Sequence, residues 1–497
     1  MLSKQFWLLL LIILLAFALR LYQLDKESLW MDEAFSVHHA QEKDLLSLLT
    51  FVSTTEAAPP GHYLLLHYWI ALFGSSEFSL RFPSVLFGVL SLALLFKIVK
   101  MVFSTKIALL SVFFMSVSMI EILYSQEARL YSLFTFLSLL SAFFFLKLFL
   151  AERQKEKTVR HYLSYFLSTA LALYTNYLAF FLIGVYTAVL LWHWPETKIF
   201  FKRWVAVHVF ILVAALPLVP LALNQFSAIG PGASGSLETR GVPPVISQLG
   251  IAVFGLPFLG LGFLFVVLLL FKKKLLGYFH SLHIPPIFFL LVITVFSLLY
   301  VYFSFRPFTP LGLPLIRVPL TNSYFLTRHL LFLSPLLYVS FAYFIVKVSS
   351  RKIAVLSVII LLAASFFSLG AYYNTPTKAQ WKEALAYIQE QTDGRPTILL
   401  DRGGFSHLFL LRYYSQYPTD VIRLTWSEKW RELQQLSAEE LSKKIANADT
   451  FWLILSRNPD TDDYYKRLLD SQALLIDEKE FYQIKVYKYT RDLKRDP

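Results

Sequence analysis

From the N-terminus to about Tyr373 the chain is a succession of apolar runs separated by small clusters of Lys and Arg. A run of roughly 18 or more apolar residues is long enough to cross a bilayer core as a helix. Lipid leaves the backbone no other partners, so helices or closed barrels are the only spanning structures. With 56% hydrophobic and 16% charged residues, the composition suits a membrane chain far better than a soluble domain. The fold class is therefore a polytopic α-helical membrane protein of about 11 transmembrane helices. The spans are expected at roughly 5–24, 83–100, 106–122, 130–150, 161–176, 178–194, 204–223, 245–271, 284–304, 329–347 and 353–373.

The formal net charge of +13 invites a nucleic-acid reading, but its distribution points elsewhere. Lys97, Lys100 and Lys106 fall together, as do Arg153, Lys155, Lys157 and Arg160, then Lys198, Lys202 and Arg203, then Lys272 to Lys274, and then Lys347, Arg351 and Lys352. These clusters occupy alternate loops, the positive-inside pattern, which puts the N-terminus in the cytoplasm and makes basicity a record of topology. No nucleic-acid partner is implied; membrane lipids are. The chain holds no cysteine, which removes disulfide and thiolate chemistry. The first run lacks a small-residue cleavage site before Asp25 and reads as a retained signal-anchor.

Two domains follow: 1–373, the membrane domain with functional outer loops, the first at about 25–81; and 374–497, a soluble α/β domain outside the cytoplasm. In the second, "TKAQWKEALAYIQEQ" and "FSHLFLLRYYSQ" read as helices and "RPTILLD", "TDVIRLT", "TFWLILS" and "YQIKVYKY" as strands. The "LLDRGGFS" turn lacks the spacing of a dinucleotide fingerprint and reads first as a strand–helix connection. "AQEKDLLSLLTFV" has the spacing of an amphipathic surface helix, and the fourth outer loop, "NQFSAIGPGASGSLETRGVPP", has a turn-rich, mobile composition.

Charged side chains on the outer side carry the functional signal. Arg306, Arg317 and Arg328 share one outer loop, against the bias for cations inside, and a guanidinium fork suits a phosphate. Headgroup anchoring or pairing with loop acids is the plainer reading of any one of them. Asp32 and Glu33 are neighbours, so their side chains diverge and do not form an opposed hydrolase pair. The plain role for Asp32 is the N-cap of "EAFSVHHA". If "SQEARLY" continues into the next span as helix, Glu127 and Tyr131 share a face and Gln126 meets Arg129; a local Glu127–Arg129 pair is the alternative.

Five stretches occur in an order that resembles the GT-C membrane glycosyltransferases: "SLWMDEAFS", "TEAAPPGHYLLLHYWIALFGSSEFSLRFPSVLFGVL", "YSQEARLYSLF", "YTNYLAFF" and "RHLLFLSP". Within them, the likeness is to the group of protein O-mannosyltransferases and lipid A aminoarabinose transferases. Asn176 departs from the pattern, where many relatives carry His. The resemblance implies a polyprenyl-phosphate sugar donor and an extracytoplasmic glycan, lipid or protein acceptor, in a bacterial inner membrane. It implies Asp32 as the base or an acceptor-orienting carboxylate, of which the base is the reading adopted, and Glu127 as a second site carboxylate that assists it. Glu33, Arg81, Arg129, Tyr131, Arg306, Arg317 and Arg328 then become candidate substrate-binding or phosphate partners. Glu56 and His62, flanking "AAPPG", are candidates for acceptor contacts or a divalent metal; a satisfied interfacial histidine is the plainer account of His62. Transfer with inversion suits one base and a cationic clamp. A lipid-linked sugar transporter is the other class considered; it would place ionisable groups near mid-membrane rather than at the outer rim.

Overall fold

The computed structural model describes residues 3–192, 197, 200–228, 328, 331–348, 350–401, 405–415, 418–427, 433–446, 448–456 and 459–491. The expected spans at 245–271 and 284–304 lie outside the described residues, as do Arg306, Arg317 and nearly all of the fourth outer loop. The chain divides into two compact units. The first comprises Met1–Tyr22, Lys43–Leu65 and Arg81–Phe367; the second comprises Gln23–Glu42, Leu66–Leu80 and Ser368–Pro497.

The apolar runs outside the undescribed stretch become helices: α1 (Lys4–Leu21), α2 (Met31–Ala40), α3 (Leu45–Thr55), α4 (Gly61–Phe73), α5 (Glu77–Val102), α6 (Thr105–Ser116), α7 (Met119–Ser125), α8 (Tyr131–Arg153), α9 (Val159–Thr175), α10 (Ala179–Trp192), α11 (Phe201–Ala215), α12 (Leu218–Ala228), α13 (Ser334–Tyr343) and α14 (Arg351–Asn374). Among the described residues, four helices are long and apolar enough to cross a membrane, or up to six if two bent pairs each count as one span. Helix α14 buries none of its side chains, and Leu8, Leu11, Leu14 and Leu15 of α1 are exposed, as lipid-facing surfaces require.

Two apolar cores hold the first unit. One gathers α8 to α11 around Phe145, which stacks on Tyr186 at 4.5 Å and meets Trp204 edge-on. The other joins α1, α5, α6 and α13 through Ala16, Leu92, Met115 and Val339. The bends have separate causes. Between α11 and α12 (59°) stands Pro217, which cannot continue the helical ladder. Between α6 and α7 (61°) no proline intervenes. There Arg20 reaches in from α1, donating Nη1 to Ser116 O at 3.1 Å, Nη2 to Met115 O at 3.4 Å and Nε to Ser125 Oγ at 3.1 Å. One buried guanidinium thus satisfies carbonyls that the end of α6 leaves without intrahelical partners. It also favours the negative end of that helix dipole.

In the second unit, α15 (Trp381–Glu390), α16 (Phe405–Tyr414), α17 (Ala438–Ile445) and α18 (Pro459–Asp470) accompany a five-stranded sheet. Its strands are β1 (Thr397–Leu400), β2 (Asp420–Arg423), β5 (Thr450–Ser456), β6 (Ala473–Phe481) and β7 (Ile484–Arg491), in the order β2-β1-β5-β7-β6. A separate antiparallel pair is formed by β3 (Thr425–Ser427) and β4 (Leu433–Gln435). Strand β1 runs parallel to β2 and β5, while β7 pairs antiparallel with β5 and β6. Phe451 to Ser456 of β5 are all buried, as expected of a central strand covered on both faces. The α/β expectation holds for this sheet. Strand β6, "ALLIDEKEF", was not expected, because its charges give one solvated face, the habit of an edge strand.

Gly88 on α5 lies against the Arg20 knot: a Cβ there would meet the Ser125 hydroxyl and, at 3.2 Å, Arg20 Nε. Gly88→Ala should lower the thermal unfolding midpoint in detergent, in line with an overpacking cost of about 1–3 kcal/mol. Gly184→Ala, where a Cβ meets nothing within 4 Å, should leave it nearly unchanged.

Candidate functional site

Residues 126–130, between α7 and α8, form a turn rather than a helix. The helical continuation expected from "SQEARLY", on which the Gln126–Arg129 and Glu127–Tyr131 spacings depended, is therefore corrected. The turn instead meets partners on other elements. The Gln126 carboxamide donates to Arg20 O at 3.0 Å and Tyr22 O at 2.8 Å, at the end of α1. His62 Nε2 lies 3.2 Å from Ala128 O, and Ser84 Oγ donates to Arg129 O at 3.4 Å. Arg129 forms an ion pair with Glu56 at 3.5 Å. The turn is therefore held by α1, α4, α5 and the α3–α4 connection. Such fixation is what a site needs if its charges are to be preorganised.

Around this turn the first unit collects most of the residues singled out in its sequence. Glu127 and Arg129 are buried, as are His62 and Tyr131. Arg81 is 1% exposed and lies one helical turn before Ser84 on α5. The Arg328 guanidinium stands 5.9 Å from the centre of the Tyr131 ring, a cation–π distance. Tyr131 also meets Tyr124 edge-on at 5.3 Å. Buried cations and anions gathered in an apolar protein make this region the candidate site.

The Glu56 connection is itself held from behind. Gln225 on α12 donates to Val52 O at 3.1 Å and Ala58 O at 2.9 Å, on either side of Glu56, and accepts from Tyr177 OH at 2.9 Å. Gly61, which follows "AAPP", packs so closely on α9 that a Cβ would lie 2.6 Å from Tyr174 O. Asn176 ends α9 and accepts Leu178 N at 3.0 Å, a local structural bond. Arg20 and Gln225 were not singled out in the sequence: their partners are backbone carbonyls, which leave no residue-type signature.

Glu56 and His62 flank the same loop, but their partners are Arg129 and Ala128 O. Among the described residues no group of three or more His, Asp or Glu side chains could hold a metal ion together. Burial, reinforced by the nearby Arg129 guanidinium, pushes the His62 pKa down to about 3, against the weaker pull of the Ala128 carbonyl. His62 is thus neutral in the working range. Its contact with Ala128 O assigns the proton to Nε2.

Asp32 and Glu33 belong to the second unit. Trp30, not Asp32, is the N-cap of α2, so Asp32 sits inside the first turn, where a carboxylate also favours the helix dipole. Its carbonyl accepts Ser36 Oγ at 3.1 Å. The expected divergence of the two acids is present: Asp32 is half-buried, whereas Glu33 is fully buried and accepts Trp30 N at 3.3 Å and Lys378 Nζ at 2.9 Å. The surface helix expected at "AQEKDLLSLLTFV" is α3, which lies in the first unit and begins at Leu45 behind its N-cap Asp44. There Leu48 and Val52 pack on Tyr63 while Leu46 stays exposed, so α3 is amphipathic but starts later than "AQEK".

The fold and one sequence family place these features among known proteins. Residues 57–222 match the family model described as dolichyl-phosphate-mannose-protein mannosyltransferase. The crystal structure of ArnT from Cupriavidus metallidurans in the apo state is similar in fold, with a TM-score of 0.55 at 13% identity over 98% of each chain. The same protein bound to undecaprenyl phosphate gives a TM-score of 0.47, also at 13% identity and 98% of each chain. The Archaeoglobus fulgidus oligosaccharyltransferase gives 0.49 at 12% identity, over 99% of this chain and 74% of that one. No curated protein matches in sequence. The protein therefore has a GT-C fold: mostly helical, with several apolar helices and a small C-terminal sheet.

The low His62 pKa has a consequence for stability. Between its ordinary value of 6.5 and about 3, the unfolded chain binds a proton at this position that the folded chain refuses. Stability from this group is full above pH 6.5 and declines as the pH falls through that window. His38, lowered to about 4 chiefly by burial, then by His39 and Arg412, acts in the same direction. Thermal unfolding between pH 7 and pH 4 should show a falling midpoint, and His62→Gln should flatten part of that slope.

Proposed function

We propose that this chain, a glycosyltransferase of the GT-C type by fold and by the family model it matches, moves a sugar from a polyprenyl-phosphate donor to an extracytoplasmic acceptor. The observation that carries the reading is the pinned turn at 126–130, which holds Arg129 and Glu127 buried beside the Glu56 connection, with Arg81 and Arg328 supplied by neighbouring elements. A cleaved glycosyl–phosphate bond leaves negative charge on the phosphate. Guanidinium groups in a low-dielectric site stabilise that charge without donating a proton.

On this reading Asp32 takes the proton from the acceptor hydroxyl as it attacks the anomeric carbon, and the phosphate leaves from the opposite side, with inversion. Glu127 assists as a second carboxylate. Tyr131 positions substrate groups, Glu33 acts indirectly from its buried pair with Lys378, and Arg81, Arg129, Arg306, Arg317 and Arg328 are the phosphate partners. In this proposal the basic clusters and the N-terminus face the cytoplasm and Asp32 lies outside, a topology that the positive-inside pattern supports, and the membrane is the bacterial inner membrane that the family resemblance implies. The acceptor is a glycan, a lipid or a protein. The matched family's description makes mannose one candidate sugar, and the sequence resemblance to aminoarabinose transferases makes an amino-pentose another.

Membranes containing the protein should transfer radiolabel from at least one member of a panel of polyprenyl-phosphate sugars that includes mannose and aminoarabinose. Asp32→Asn should reduce that transfer roughly hundredfold or more while the protein accumulates normally, as loss of a general base does. No transfer by the wild type from any member, or undiminished transfer by Asp32→Asn, contradicts the proposal.

A further inference from the structure

The segment from Asp25 to Trp30 has no helix or strand of its own, so something other than a backbone ladder must aim the helix that follows it. The partners come from the C-terminal part of the chain, within the same compact unit. Glu27 accepts Thr377 N at 2.5 Å and Thr377 Oγ1 at 2.6 Å. Ser28 donates Oγ to Glu383 at 3.2 Å and accepts Lys382 N at 3.0 Å. Leu29 N donates to Tyr414 OH at 2.7 Å, and that hydroxyl donates to Glu77 at 3.2 Å. Glu33 then closes the series on Lys378, at 2.9 Å.

We infer that the C-terminal α/β module is a clamp that sets the position of Asp32, with Lys378 as its principal positioning residue, acting through Glu33. The inference rests on the proposed role of Asp32 as base, and it gives the module a part in the reaction without any contact to substrate. The contacts are regular: successive residues of the incoming segment are each met by the stretch 377–383 or by Tyr414. The Glu33 carboxylate is 0% exposed and the Lys378 side chain 9%. A buried carboxylate stripped of its cation must protonate or move toward water. Either response disturbs the first turn of α2, where Asp32 is the adjacent residue. Lys26 Nζ, bonded to Tyr373 O at 3.1 Å, and Lys382, 3.3 Å from Glu77, reinforce the same junction from exposed positions, where ion pairs contribute little.

A purely supporting module and a positioning clamp differ in what they do to kinetics. Displacing the base slows the chemical step and leaves donor binding intact, so Lys378→Met should lower kcat at least tenfold at nearly unchanged KM for the polyprenyl-phosphate sugar that the wild type uses. The double variant Glu33→Gln/Lys378→Met removes both charges and keeps an acceptor for Trp30 N. It should recover to within about threefold of the wild type, as neutral replacement of a buried pair allows. Tyr414→Phe, which strips one hydroxyl without orphaning a charge, provides a milder variant and should lower kcat severalfold.

The absence of cysteine in the chain supplies a readout independent of turnover. Ser36 is buried one turn after Asp32. In full-length protein, Ser36→Cys should resist a soluble maleimide, become labelled at least tenfold faster when combined with Lys378→Met, and regain protection in the Glu33→Gln/Lys378→Met background. Unchanged labelling and unchanged kcat in both Lys378→Met and Tyr414→Phe overturn the clamp. A loss that appears equally in KM, or that the double variant does not rescue, overturns the positioning role. Full activity of Asp32→Asn would instead remove the catalytic reading of Asp32, and the labelling result would still decide the clamp.

Discussion

Charge buried in an apolar protein has to be answered by opposite charge or by backbone, and that requirement organises both units. In the first, Arg20 is spent on the open end of α6, and Arg129 is matched to Glu56. In the second, Glu33 is matched to Lys378. Each answer ties segments distant in sequence: α1 to α6 and α7, the α3–α4 connection to the turn before α8, and the start of α2 to the C-terminal module. Removing one partner from such a pair costs more than the pair itself contributes, because a desolvated charge is left behind. The loops that carry the candidate site are therefore held firmly although they have little regular structure.

This arrangement separates anchoring from chemistry. Helices and apolar cores fix where each loop starts, and long polar side chains fix where it goes. Arg20, Gln126 and Gln225 bind mainly carbonyl oxygens, so they direct backbone without competing for a phosphate. Arg81, Glu127, Arg129 and Arg328 bring charge to the same region, Arg129 in its pair with Glu56. Neutral His62 adds a hydrogen bond to the turn and no further positive charge. The proposed lipid-phosphate chemistry needs cations in place before the phosphate charge develops.

Much of the membrane part was legible because its signal is coarse. Runs of apolar residues and alternating basic clusters survive any local irregularity, and the described helices follow them. The C-terminal strands "TILL", "DVIR" and "TFWLILS" were legible for the same reason, as short apolar runs bounded by turns. What escaped was decided by tertiary partners. "SQEARLY" has helical spacing, but Gln126 and Arg129 gain buried partners by leaving the helix. Lys378 reads as an ordinary charge ahead of an amphipathic helix, and its partner lies 345 residues away in sequence. Arg20 ends an apolar run as an interfacial anchor would, whereas it is fully buried. Asp32 was found through a family resemblance, and nothing in its own neighbourhood distinguishes it from a loop acid.

The central claim is that the guanidinium groups around the 126–130 turn recognise a lipid-borne phosphate. Native mass spectrometry of the detergent-solubilised protein, titrated in parallel with undecaprenyl phosphate and with uncharged undecaprenol, tests it directly. The account predicts saturable binding of the phosphate form, at least tenfold tighter than the alcohol and lost in Arg129→Gln. Equal binding of the two lipids, or phosphate binding indifferent to Arg129, would contradict it.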